Sequence, residues 1–128
     1  MLGNILVAED DKMIQRLLAR MIKKAGYPGH IEVCDRAKNA LEFVAYVDGQ
    51  VDLVLVDTGL HEEGDAAFFH ALKSIATQAP IVASSGYSED QLRSPKHFQD
   101  CDLTAVLSKP FGLQDIKDLL KDLSLIET

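Results

Sequence analysis

The sequence has little that would tie it to a thiol metal site, a membrane or a nucleic acid. Its two cysteines, Cys34 and Cys101, match no metal or redox spacing, so we expect two buried thiols in a reducing cytoplasm. No apolar run approaches a membrane span, and residues 1–4 lack the positive charge that opens a signal peptide. Basic residues are also few, 13 against 20 acidic ones, and this balance argues against direct nucleic-acid binding.

Apolar strands alternating with amphipathic helices make up most of the chain. Its 128 residues, 47% of them hydrophobic, fit a single domain over 1–128. Helical patterns cover about residues 12–25, 37–47, 65–76 and 113–123, and a short irregular helix is expected within 88–102, where Pro95 interrupts the pattern. Each follows an apolar run. This order predicts an α/β fold of (βα)5 type, a five-stranded parallel sheet with helices on both faces.

The first helix carries the clearest apolar stripe. Its members recur at helical spacing and are expected to face the core: Met13, Ile14, Leu17, Leu18, Met21 and Ile22. Asp11, just before this helix, is expected to cap it rather than to bind a ligand.

Four predicted strands end in residues that can do chemistry. Glu9 and Asp10 follow the first strand, Asp57 ends the third, Ser85 ends the fourth and Lys109 follows the fifth. The carboxyl ends of parallel strands lie at one edge of a sheet, which is where open α/β folds place their sites. We therefore expect these five side chains to share one cleft.

Three carboxylates in one cleft would repel one another unless a cation lies between them. Mg²⁺ suits such a site because it takes carboxylate, carbonyl and water oxygens as ligands. An aspartate flanked by Mg²⁺, a lysine and a hydroxyl can attack phosphorus, since those groups neutralise charge that builds on a transferring phosphoryl group.

Four sequence blocks carry a family resemblance. They are LVAEDD (6–11), VLVD (54–57), IVASSGY (81–87) and LSKPF (107–111). In this order they resemble the signature blocks of the response-regulator receiver domain of two-component signalling, a flavodoxin-like fold. The resemblance covers essentially the whole chain.

The resemblance implies an acceptor and a metal site. Asp57 would accept a phosphoryl group from a sensor histidine kinase or a histidine phosphotransfer protein. Asp10 would bind Mg²⁺ directly and Glu9 through water, with Asp57 and the backbone carbonyl of Gly59 completing the protein ligands.

The resemblance also implies catalytic and switch residues. Ser85 would hydrogen-bond the phosphoryl group, Lys109 would pair with it, and the peptide bond before Pro110 would be cis. The switch position three residues before the lysine commonly holds Tyr or Phe, and here it is Val106. Because valine is short and stiff at χ1, we expect Ser85 to signal through the loop at Tyr87, whose ring either lies exposed beside the site or packs under the following helix.

Other residues differ from the family pattern or are given structural roles. The family commonly has Met-Pro where this chain has Leu60-His61, and Asp-Asp where it has Glu9-Asp10. Ser84 is expected in the core. The four histidines, which lack metal-ligand spacing, are expected to be exposed to solvent: His30, His61, His70 and His97.

The functional prediction is a signalling switch rather than an enzyme. It would lie in the cytoplasm, accept a phosphoryl group with Mg²⁺ and act on a downstream effector protein or domain, without binding membranes. One alternative is an aspartyl-phosphate phosphohydrolase; haloacid-dehalogenase-like enzymes carry a second Asp where this chain has Gly59. Another is a pseudo-receiver that binds partners without phosphorylation, against which the intact site residues argue.

Overall fold

A five-stranded parallel sheet forms the centre of the fold. The computed structural model describes residues 3–60, 64–94 and 97–127. Its strands are β1 (Asn4–Ala8), β2 (His30–Cys34), β3 (Leu53–Asp57), β4 (Ile81–Ser85) and β5 (Ala105–Ser108), in the order β2-β1-β3-β4-β5. The strand order reverses between β1 and β3, so a crevice opens beyond their carboxyl ends.

Helices connect the strands and confirm the predicted (βα)5 order. They are α1 (Lys12–Lys24), α2 (Ala37–Tyr46), α3 (Asp65–Ile75), α4 (Glu89–Leu92) and α5 (Leu113–Asp122). Helix α4 is a single turn, as expected for this stretch, although Pro95 itself lies outside the described residues. Across the described ranges, no helix is long and apolar enough to cross a membrane.

The sheet divides the apolar interior into two halves, because successive side chains of a strand point to opposite faces. One half, here the α1/α5 core, joins those helices to alternate strand residues: Ile5, Val7, Leu53, Leu55 and Val82. The other, here the α2–α4 core, takes the residues between them and the segment after α4: Leu6, Ala8, Val54, Val56, Ala83, Leu92 and Phe98. Both faces of the sheet are therefore covered.

Helix α1 begins as predicted but buries a narrower stripe. The Asp11 carboxylate accepts the backbone N–H groups of Met13 (2.9 Å) and Ile14 (3.2 Å), which confirms the cap. Leu18 is buried, yet Met13 is 78% exposed and Leu17 44% exposed. The prediction that these two residues lie in the buried stripe is wrong, because they sit about 100° around the helix from Ile14 and Leu18.

Both cysteines are free and buried, as expected. Burial is the main cause that raises the pKa of Cys34 to about 11, with the nearby acids Glu32 and Asp35 adding to it. Burial also raises the pKa of Cys101. Both thiols are therefore protonated at neutral pH and are poor nucleophiles.

Candidate functional site

The predicted site residues converge at the carboxyl edge of the sheet. β-Pairing aligns Asp57 with Ser84 and Ser85 with Ser108. Beyond the strands, the Glu9 N–H donates to the Cys34 carbonyl (2.9 Å) and the Lys109 N–H donates to the Ser85 carbonyl (2.8 Å). These bonds continue the ladder for one residue, so the backbone holds Glu9 and Lys109 in place before their side chains interact.

Three carboxylates form a cluster on this edge. One oxygen each from Glu9, Asp10 and Asp57 lies within 4.8 Å of the others. Glu9 is buried, the Asp57 side chain is 14% exposed and Asp10 is exposed. The cluster thus opens from a buried base to solvent, and its oxygen donors fit a hard divalent cation such as Mg²⁺.

Lys109 bridges two of these acids. Its ammonium lies 3.0 Å from Asp57 Oδ1 and 3.2 Å from Glu9 Oε1. The other Glu9 oxygen, Oε2, accepts the Asp11 N–H at 3.1 Å. Among the described residues, the single positive charge of Lys109 lies beside a cluster of three carboxyl groups, so this group carries excess negative charge whenever all three are ionised.

Burial and charge act against each other in this group. Burial raises the pKa of Glu9, and the charge of Asp57 adds to this; the Asp11 N–H and Lys109 oppose it without cancelling it. For Lys109, loss of hydration disfavours the charged form, but Asp57 and Glu9 together outweigh it and raise its pKa. The lysine is therefore held as a cation beside the Asp57 carboxylate.

Ser85 lies at the end of β4 with its hydroxyl turned toward the next loop. The residue is buried, and its Oγ accepts the backbone N–H of Tyr87 at 3.0 Å. Ser84 is buried in the core as expected; its Oγ has no hydrogen-bond partner among the described residues.

Gly59 lies in the loop that follows β3. Its φ of +83° lies in the left-handed region, which glycine adopts without steric cost. Its N–H donates to Asp65 Oδ1 at 2.8 Å. Leu60 packs against the α2–α4 core, whereas His61 lies outside the described residues.

Two residues at this edge were not anticipated from the sequence, Asp65 as a site residue and His97 as a partly buried one. Asp65, in the first turn of α3, is buried, and its Oδ2 lies 2.7 Å from His97 Nδ1. The His97 side chain is only 18% exposed, so the prediction that it faces solvent is wrong. The two residues are 32 apart in sequence, and no motif links them; the one available signal was an acid at the start of a helix beside a glycine.

Tyr87 and Val106 occupy the two candidate switch positions. Tyr87 is 47% exposed, and its ring lies 4.9 Å from the His97 ring at an angle of 39°. Val106 is half-buried and packs against the α2–α4 core. The Lys109–Pro110 peptide bond is cis, as the resemblance implied.

Comparison with known proteins identifies the family. A family model for the response regulator receiver domain matches residues 5–121. The transcriptional regulatory protein PdtaR of Mycobacterium tuberculosis is 33% identical over 115 residues, covering 88% of this chain and 52% of that protein. The chain therefore spans about half the length of this curated relative.

Solved structures share the fold. The chemotaxis response regulator CheY4 of Vibrio cholerae has a TM-score of 0.78 at 18% identity, with 96% of this chain and 99% of that one covered. The receiver domain of a sensor histidine kinase from Pseudomonas aeruginosa, with a magnesium ion in its active site cleft, has a TM-score of 0.79 at 17% identity over 96% and 98%. The chain belongs to the response regulator receiver domain family, which has the predicted flavodoxin-like fold and is consistent with two-component signalling.

Proposed function

We propose that this receiver domain accepts a phosphoryl group on Asp57 in a Mg²⁺-dependent reaction. The observation that carries the proposal is the position of Lys109, whose ammonium lies within 3.2 Å of both Asp57 and Glu9 beside the three-acid cluster. A carboxylate so placed lies beside the positive charge that a transferred phosphoryl group needs.

The transfer is a displacement at phosphorus. An Asp57 carboxylate oxygen forms a new P–O bond while the P–N bond to a donor phosphohistidine breaks, and the released imidazole takes up a proton. Lys109, which pairs with the free carboxylate before transfer, then pairs with the phosphoryl oxygens. The Ser85 hydroxyl donates a hydrogen bond to one of these oxygens.

Glu9, Asp10, Asp57 and the Gly59 carbonyl are the proposed ligands of the cation. Mg²⁺, when bound, neutralises charge on the phosphoryl oxygens and offsets the repulsion among the carboxylates. The magnesium ion of the Pseudomonas aeruginosa structure, which has the same fold, supports this assignment.

A role as a switch, rather than as an enzyme for an external substrate, follows from this chemistry. The phosphoryl donor would be a sensor histidine kinase or a histidine phosphotransfer protein in the cytoplasm, and the output would pass to an effector protein or domain. Gly59 occupies the position at which a phosphohydrolase of the haloacid-dehalogenase type carries its second Asp. The absence of that Asp disfavours catalytic turnover of an external phosphate substrate.

The test is phosphorylation by acetyl phosphate, followed by intact-mass measurement. We expect one phosphoryl group with Mg²⁺, none in EDTA and none in Asp57→Asn. Asp102→Asn is the matched control, because this exposed aspartate precedes β5, at the opposite end from the cleft. Modification of Asp57→Asn, or of the wild type in EDTA, would contradict the assignment.

Two further outcomes separate the alternatives. Continuous release of many phosphates per protein molecule would identify a phosphohydrolase. Absence of any modification in the wild type, together with Mg²⁺ binding too weak to detect, would identify a pseudo-receiver.

A further inference from the structure

A series of contacts joins the two ends of the site through residues that the proposed chemistry does not use. It runs from Ser85 Oγ to the Tyr87 N–H (3.0 Å) and from the Tyr87 ring to the His97 ring (4.9 Å). It continues from His97 Nδ1 to Asp65 Oδ2 (2.7 Å) and ends where Asp65 Oδ1 accepts the Gly59 N–H (2.8 Å). Ser85 lies on the phosphoryl side and Gly59 on the metal side.

Asp65 is held from both sides. It is 2% exposed and uses one oxygen for Gly59 and the other for His97. A buried carboxylate that loses a partner is costly, so the backbone at Gly59 and the ring of His97 are kept at fixed positions relative to each other. The bond to Asp65 thereby helps to orient the residue whose carbonyl is the proposed metal ligand.

Tyr87 is held at two points as well. Its backbone donates to Ser85, and its ring packs on His97, yet the side chain is 47% exposed. A movement of Ser85 Oγ toward a phosphoryl group would lengthen the Tyr87 bond and displace the ring on His97. Val106 has no ring to fill space that Ser85 vacates, whereas the contacts that begin at Ser85 lead to the aromatic, partly exposed ring of Tyr87.

We propose that Asp65 and His97 are positioning residues that couple the Gly59 loop to Tyr87, so that occupation of the site is read out at the exposed Tyr87 ring. The inference rests on the proposed function. It assigns Asp65–His97 to two tasks, orienting the metal-binding loop through a hydrogen bond and holding Tyr87 through a ring contact.

Two substitutions of His97 separate these tasks. His97→Asn keeps an amide donor near the position of Nδ1 and removes the ring, whereas His97→Phe keeps a ring and removes the donor. For both variants, NMR measures the amide chemical shifts during Mg²⁺ titration. It also measures the ring-proton shifts of Tyr87 on addition of beryllofluoride, a phosphoryl mimic.

Opposite results are expected. His97→Phe should displace the Gly59 amide signal and weaken Mg²⁺ binding at least about twofold, the low end for couplings of this kind. His97→Asn should bind Mg²⁺ nearly as the wild type does but lose the Tyr87 ring response. The control is His30→Phe, since His30 lies 2.7 Å from Glu32 on the edge strand β2 and should change neither result.

Wild-type Mg²⁺ affinity and an unmoved Gly59 signal in His97→Phe would show that the hydrogen bond does not orient the Gly59 loop. A full Tyr87 response in His97→Asn would show that the ring contact does not hold Tyr87. Should either variant unfold, Tyr87→Leu at the exposed end carries the test, and an undiminished beryllofluoride shift at His97 would then refute the coupling. A wild type that ignores both Mg²⁺ and beryllofluoride would instead refute the proposed function.

Discussion

The cleft has an acid side and a hydroxyl side, and they are built differently. On the acid side, Glu9, Asp10 and Asp57 follow or end the strands β1 and β3 and form one cluster, and Lys109 lies within 3.2 Å of Glu9 and Asp57. On the hydroxyl side, Ser85 is linked onward by a backbone N–H and a ring contact, in a region where α4 is one turn long.

This difference matches the proposed division between phosphoryl transfer and response. Charged groups at the ends of buried strands would keep the proposed acceptor Asp57, Lys109 and the proposed cation ligands in place during transfer. A neutral hydrogen bond contributes only about 1 kcal/mol net, so it can be exchanged for another at little cost. The acid side is therefore suited to the proposed phosphoryl transfer, and the hydroxyl side to the proposed change of shape after it.

The strongest test of the acid side is Lys109→Met. Removal of the Lys109 ammonium takes away the cation that Glu9 and Asp57 share among the described residues, so the metal-free protein should lose about 3 kcal/mol of unfolding free energy. Urea denaturation gives the value. The control is Lys38→Met, because Lys38 is exposed and 4.0 Å from its partner Glu42; equal losses in the two variants would contradict the charge balance described for the cleft.

Removing a carboxylate from the cluster should raise the free energy of unfolding rather than lower it. Asp10→Asn relieves like-charge repulsion and should stabilise the metal-free protein by about 1 kcal/mol, while Mg²⁺ should stabilise the wild type by binding only the folded state. Thermal melts with and without Mg²⁺ measure both effects. If metal-free Asp10→Asn melts at a lower temperature than the wild type, like-charge repulsion at Asp10 does not destabilise the metal-free fold.

The alkylation rates of the two thiols measure the local stability of the two sides of the cleft. The Cys34 backbone carbonyl accepts the Glu9 N–H on the acid side, whereas Cys101 follows α4 outside any helix or strand. Both have raised pKa values, so alkylation should rise with pH, for Cys34 up to about pH 11. Local opening costs least in irregular segments, and iodoacetamide should modify Cys101 several-fold faster, as followed by peptide mass spectrometry. Equal rates in the folded protein would remove this distinction.

The smallest expected effect is that of Val106→Ala on the response. The largest amide shifts on addition of beryllofluoride should fall in residues 85–93, with little at Val106, and should persist in the variant. A response centred on Val106, or lost in Val106→Ala, would show that this valine still serves as the switch.

The sequence predicted the acid side better than the hydroxyl side for a physical reason. Glu9, Asp57 and Lys109 follow apolar runs that can only be buried strands, and parallel pairing then brings their ends together. The apolar residues that precede each of these side chains were enough to predict its position at the carboxyl end of a strand.

Asp65 and His97 could not be found in this way. Their bond depends on how the irregular segment after α4 folds back over the start of α3, and no periodicity records that path. Likewise, Met13 and Leu17 share the helical spacing of buried neighbours, and only the packing of α5 and the sheet decides which side of α1 is covered.

The separation of the interior by the sheet has a consequence for how this chain can vary. Residues of the α1/α5 core and of the α2–α4 core do not share side-chain partners across the strands, so substitutions in the two halves should be nearly additive. Sequence drift in one half can therefore be absorbed without retuning the other. Homologues could differ in the layer under α1 and α5 while keeping unchanged the layer that joins α2, α3 and α4 to the sheet.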